Sequence, residues 1–245
     1  MRLSCSLPRT PCYFCEKACI MSFMNIWFAS GSADKKKELA AILADAMAGK
    51  TLLTPADIQM DFNPEETGGT FCENALLKAR ELFRRLSCEG GGRRYKKGDF
   101  IIADDSGLCV DALGGRPGLH SAIYAGAHGF DPDKKLASSQ RNALLLEELG
   151  ENPLRTARFV CSLVLLVSED RFYIAQETLE GEIVGDARQA AGTGGFGYDP
   201  ILFIPRFGKT VAELSQGEKN FASHRGKAGR IISKVLCEIA AQNES

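Results

Sequence analysis

The sequence predicts an α/β protein: a mixed, mainly elongated β-sheet with flanking helices. Three observations carry that expectation. Short apolar runs alternate with helical periodicity in the first half of the chain, two long strand-like runs sit together in the second half, and an amphipathic helix closes it. At 245 residues the chain can bury a full core, as one domain or as two intimately packed lobes.

The elements follow in order. Asn25-Ile26-Trp27-Phe28-Ala29 reads as an apolar strand broken by Ser30-Gly31-Ser32, and the next helix has Leu39, Ile42, Leu43 and Met47 on one face. A second helix is expected from Thr70, with Phe71, Ala75, Ala79, Leu82, Phe83 and Leu86 at helical spacing and Thr70-x-x-Glu73 as a capping box. Residues 88–99, CEGGGRRYKKGD, read as a solvated surface excursion rather than a phosphate or partner contact. Phe100-Ile101-Ile102-Ala103 is a strand that ends in Asp104-Asp105-Ser106-Gly107 and resumes at Leu108. Residues 131–149 form a polar-faced helix. Residues 158–167 and 172–184 are long strands joined by a turn at Ser168-Glu169-Asp170, and a short strand at 201–204 lies between Pro200 and Pro205. The final helix starts near Ser223, with Ala228, Ile231, Ile232, Val235, Leu236 and Ile239 on its buried face.

Composition removes several function classes. With 30 Lys+Arg against 31 Asp+Glu there is no broad basic field for nucleic acid, and Arg93, Arg94, Lys96 and Lys97, with the single Tyr95 among them, lack a platform of several aromatic residues. No apolar run is long enough to span a membrane. Residues 1–23 lack a secretory apolar segment but hold Cys5, Cys12, Cys15 and Cys19. A zinc or redox site there is the sharper reading. The ragged single cluster favours a disordered extension, or a stretch upstream of a true start at Met24, with the folded domain at 24–245. The other five cysteines show no disulfide framework and suggest a reducing, cytoplasmic setting.

Four segments carry chemistry. In AGTGGFGYDP, Gly192, Gly194 and Gly197 form a GxGxxG, but the loop runs into a proline-bounded strand rather than a helix. The dinucleotide reading fails on that context. Asp104-Asp105 at the end of a buried strand suits Mg²⁺, and adjacent strand residues face opposite ways, so the two carboxylates have different jobs. An Asp-Asp-Ser-Gly turn is the plainer alternative. Ser30-Gly31-Ser32-x-x-Lys35 presents a helix N-terminus to phosphate, with a lysine in a first turn where the dipole disfavours it. Finally, Lys219 and Ser223-His224-Arg225 precede the last helix, offering donors to a carbonyl or phosphate, or simply a capped helix entrance.

Together, SGSADKKKEL (30–39), EETGGTFCENALLKA (65–79), IADDSGLCVDALGGRPGLHSAIYAG (102–126), AGTGGFGYDPILF (191–203) and KTVAELSQGEKNFASHRGKA (209–228) closely resemble the inosine triphosphate pyrophosphatase family, which hydrolyses dITP and XTP. The resemblance spans about residue 24 to the C-terminus and implies two lobes around a central substrate cleft and a homodimer. It also implies Mg²⁺-dependent release of pyrophosphate from ITP, dITP or XTP. By that resemblance Asp105 is the catalytic carboxylate and a metal ligand, with Glu65, in preference to Glu66, as its acidic partner. Ser30, Gly31, Ser32, Ala33, Asp34 and Lys35 meet the phosphates. Ser106, Phe196, Gly197, Tyr198, Asp199, Lys219, His224 and Arg225 contact the rest of the nucleotide, Phe196 stacking on the base. The family usually has Asn where this chain has Ser32, which removes two amide donors from the phosphate site.

Overall fold

The computed structural model describes residues 25–47, 50–88, 94–96, 98–126, 129 and 136–242. The cysteine cluster of residues 1–23 lies outside them. Seven strands form one sheet in the order β2-β1-β3-β4-β5-β6-β7. The strands are β1 (Ile26–Phe28), β2 (Leu52–Leu53), β3 (Phe100–Val110), β4 (Thr156–Leu166), β5 (Phe172–Ile183), β6 (Leu202–Ile204) and β7 (Lys209–Thr210). The helices are α1 (Ala33–Leu43), α2 (Phe71–Ser87), α3 (Ser138–Leu149), α4 (Gln216–Ala222) and α5 (His224–Gln242). β1 pairs in parallel with both β2 and β3, and every later pairing is antiparallel. The mixed sheet is therefore the predicted one.

Local chemistry sets the helix starts. Ser32 accepts the backbone N–H of Lys35 at 3.3 Å and caps α1. Thr70 accepts the N–H of Glu73 at 3.1 Å and caps α2, but the Glu73 carboxylate accepts from Gly69 instead of closing the expected box. α3 begins at Ser138, later than the expected 131, and residues 130–135 lie outside the description. α5 opens at His224 with Ser223 accepting from Gly226 at 3.0 Å.

Alternation along β3 separates two cores. Ile102 faces α1 and α5, joining Leu39, Leu43, Ile232 and Leu236, whereas Ile101 and Ala103 face α2, joining Ala75, Ala79 and Leu82. A third cluster fills the far half of the sheet, where Leu108, Leu145, Leu179, Ile201 and Leu202 pack together. Ile231, expected on the buried face of α5, is instead half exposed.

One correction concerns the centre of β3. The sequence suggests a break at Asp104-Asp105-Ser106-Gly107, yet β3 runs unbroken through these residues, paired with β4 at Asp105↔Ser162 and Ser106↔Cys161. Gly107 serves close approach rather than a turn: a Cβ there would lie 2.2 Å from the Gly118 carbonyl oxygen. The parallel partner β1 ends opposite Ile102. Beyond that point the aspartates stand at the carboxyl end of a parallel pair, the position where α/β sheets open a crevice. The basic 94–96 stretch is tied down by its own fold, with Arg94 donating to the Ile58 carbonyl at 3.2 Å. Arg93 and Lys97 lie outside the described residues.

Candidate active site

The pleat sends Asp104 and Asp105 to opposite faces, and each meets a different set of cations. Asp104 is buried on the α1/α5 side, where it pairs with Lys35 and accepts from Arg225 Nε at 2.8 Å and from Cys161 Sγ at 3.1 Å. Burial alone would push its carboxyl up, but Arg225 and Lys35 outweigh that and hold it well below the usual range. Asp104 is therefore a fixed anion at the middle of an ion-pair cluster. Lys35, anomalous in a first helical turn, is there because this carboxylate lies within its reach.

Asp105 faces α2. It accepts from Lys78 Nζ at 2.9 Å and from Asn74 Nδ2 at 3.3 Å. Burial pushes its carboxyl above the usual range, against the pull of Lys78. Lys78 also reaches Glu66 at 3.3 Å, so two carboxylates share one ammonium. Glu65 and Glu66 are both exposed, and of the two Glu66 borders the cavity and reaches Lys78. That cavity, about 210 Å³, brings Ser30, Ser32, Lys35, Lys78, Asp105 and Ser106 together. Gly31 also borders it, whereas Ala33 and Asp34 are exposed in the first turn of α1.

The glycine-rich loop is not part of that cavity's lining and makes a separate wall beside Lys219 and Arg225. At Gly195 φ is +75° and a Cβ would come within 1.9 Å of Asp199 Oδ2, so only glycine fits. Asp199 accepts from the Phe196 N–H at 2.9 Å and from Lys219 Nζ at 2.7 Å, fixing the loop to α4. The Phe196 ring centroid then lies 5.1 Å from Lys219 Nζ and 5.7 Å from the Arg225 guanidinium. Tyr198 is placed elsewhere. Its ring is buried in the far core and its hydroxyl donates to the Ser121 carbonyl at 2.9 Å, so its side chain braces the loop instead of facing the cavity. His224 is buried and stacked on Phe159, with ring centroids 5.0 Å apart and Nδ1 unpartnered. Burial and the neighbouring Arg225 push its pKa well below the usual value, so the imidazole is neutral.

Arg225 is buried and joins the two walls. Nε meets Asp104, Nη1 meets Glu38 at 2.6 Å, and Nη2 meets Ser106 at 3.0 Å. Glu38 also takes Lys219 at 2.5 Å, making it the hub between α1, α4 and α5. Sequence reasoning singled out neither Glu38 nor Lys78. A usable signal was present, because both sit beside the apolar stripes of their helices, next to Leu39 and Ala79, where a charge is buried only if paired.

Among the described residues, no group of three or more His, Cys, Asp or Glu could hold a metal ion. The Asp105–Glu66 pair suits a cation whose coordination is completed by substrate oxygens and water, as Mg²⁺ prefers.

Comparison with known proteins adds ancestry to this geometry. Residues 26–235 match the Ham1 family. A dITP/XTP pyrophosphatase of Treponema denticola is 43% identical over 213 residues, covering 87% of this chain and 98% of the relative. One from Shigella flexneri is 42% identical over 216 residues, covering 86% and 98%. Among solved structures, a HAM1 protein from Coxiella burnetii superposes with a TM-score of 0.70 at 34% identity, over 88% of this chain and 100% of that one. The Ham1 protein of Staphylococcus aureus gives 0.68 at 34% identity, over 86% and 97%. On sequence, fold and extent of match, the chain belongs to the Ham1 family.

Proposed function

We propose that this chain hydrolyses ITP, dITP and XTP to the nucleoside monophosphate and pyrophosphate, removing non-standard purines from the nucleotide pool. The observation that carries the reading is the cavity in which the N-terminus of α1 faces the Asp105–Lys78–Glu66 cluster. A helix start and two ammonium groups suit a triphosphate, and a buried carboxylate beside it suits a water molecule. The names of the bacterial relatives supply the substrate class.

Chemically, water attacks the α-phosphorus, and the bond from that phosphorus to the oxygen bridging the β-phosphate breaks. The water proton passes toward Asp105, the carboxylate that lines the cavity and stays ionised beside a cation. Lys35 and Lys78 balance charge on the leaving pyrophosphate. Asp105 with Glu66, in preference to Glu65, would hold Mg²⁺, since the two carboxylates already share one cation. When bound, the metal ion neutralises and orients the triphosphate.

The base lies against Phe196 in this reading, close to Lys219, His224 and Arg225. Arg225 uses three of its N–H groups on Asp104, Glu38 and Ser106, leaving two for a 6-oxo acceptor. Adenine presents a 6-amino donor there, and each unmade buried bond costs on the order of 1–3 kcal/mol. We further infer a cytoplasmic homodimer. The location is supported by the five described cysteines being free thiols and by the absence, among the described residues, of any helix fit to cross a membrane. The dimer rests on the family resemblance.

Turnover of ITP, XTP, dITP, ATP, GTP and dUTP, each with and without Mg²⁺, tests the proposal. It predicts metal-dependent release of pyrophosphate from the first three. Preference for dUTP or ATP would overturn it.

A further inference from the structure

The glycine-rich loop, Phe196 included, borders a pocket of about 470 Å³ together with Ser138, Asn142 and Leu146 of α3. Gly192 and Gly194 pack closely on Ala212, and Gly195 on Asp199, but towards α3 the loop is held by few contacts, and glycines restrain their own backbone least. Two α3 side chains reach across: Arg141, whose guanidinium lies 6.0 Å from the Tyr198 ring centroid, and Asn142. Asn142 Nδ2 donates to the Gly197 carbonyl at 3.2 Å. A carbonyl can only accept, so the amide nitrogen is the end that faces it, and Oδ1 is left buried without a partner. A buried orphan acceptor is costly, so the amide is held here for its donor to the Gly197 carbonyl.

We propose that Asn142 is a positioning residue for nucleotide binding: it pins the Gly197–Tyr198 peptide from α3 and so holds the loop just after Phe196, whose ring position depends on it. It touches no reacting atom. Asp105 and Lys78 lie across the sheet from it on β3 and α2, so its loss should weaken binding and leave the chemical step alone. This inference rests on the nucleotide reading of the loop.

The test is steady-state kinetics of the full chain on ITP, with thermal unfolding in parallel, for Asn142→Leu and Asn142→Asp. Leu keeps the volume and removes the tether. Asp keeps the shape but turns an acceptor toward the Gly197 carbonyl. Loss of one neutral hydrogen bond predicts a KM raised about three- to tenfold in the Leu variant, with kcat within about twofold of the native chain. The Asp variant should show the larger rise. The Leu variant loses the orphan acceptor but also leaves the Gly197 carbonyl without its donor, so thermal unfolding serves to show that both variants are folded under the assay conditions. An unchanged KM in both variants, or a fall in kcat with KM constant, would overturn the proposal. Failure of the native chain to turn over ITP would instead overturn the nucleotide reading itself.

Discussion

Replacing Arg225 with Met tests the ion-pair cluster most severely, because the side chain keeps its apolar stem and loses only the guanidinium. In the native chain that group is 2% exposed and neutralises Asp104 and Glu38 together. Breaking a buried pair by removing one partner costs about 3–5 kcal/mol. Each carboxylate here keeps a second cation, Lys35 for Asp104 and Lys219 for Glu38, so the loss should fall near the lower end, about 3 kcal/mol. For a chain of this size that is a fall in Tm of about 6–12 °C. Urea unfolding at neutral pH measures it directly. A loss below about 1 kcal/mol would refute the account, because two carboxylates in this setting cannot both be indifferent to an adjacent cation. In the folded variant kcat/KM for ITP should also drop about 10- to 100-fold and that for ATP much less, since ATP never made the bond to the 6-oxo group.

Three further outcomes follow from the site. Asp105→Asn should fold normally and lose about 10²- to 10⁴-fold in ITP turnover; near-native turnover by a correctly folded variant would remove Asp105 from the mechanism. Gly195→Ala places a methyl group onto the Asp199 carboxylate, so Asp199 must leave Lys219 and the Phe196 N–H. KM for ITP should rise about tenfold, while Gly217→Ala, where a Cβ meets nothing, should leave it unchanged. The buried neutral His224 makes stability pH-dependent. The unfolded chain takes up a proton near pH 6.5 and the folded chain resists it, so stability is complete above about pH 6.5 and falls below it by up to about 1.4 kcal/mol per pH unit. His224→Phe, still able to stack on Phe159, should flatten that slope between about pH 7 and pH 5.5, and equal slopes would count against the assignment.

Much of this architecture was legible in the chain because local chemistry and tertiary packing agree. The start of α2 at its Thr70 cap, the apolar stripe of α2 and the two long strands β4 and β5 all read directly from spacing. The opposed orientation of Asp104 and Asp105 likewise follows from the two-residue period of a strand. What was not legible depends on distant partners. Asp-Asp-Ser-Gly has turn composition, and only pairing with β4 keeps β3 straight through it. Glu66 and Glu65 are neighbours in one acidic run, and only the packing of α2 shows that Glu66 is the one that reaches Lys78. Tyr198 sits in the most conspicuous motif of the chain, yet the Ser121 carbonyl draws its hydroxyl to the core side. Glu38 lies in the SGSADKKKEL stretch but nothing there marks it out, and Asn142 carries no motif at all. Their roles exist only once α1 meets α5 and α3 meets the glycine-rich loop.

The central claim is attack of water on the α-phosphorus of a non-standard purine nucleotide. Hydrolysis of ITP in oxygen-18 water, followed by mass spectrometry of both products, tests it most directly. The proposed reaction predicts one heavy oxygen in the IMP phosphate and unlabelled pyrophosphate. Label in the pyrophosphate, or release of IDP with labelled orthophosphate, would contradict it.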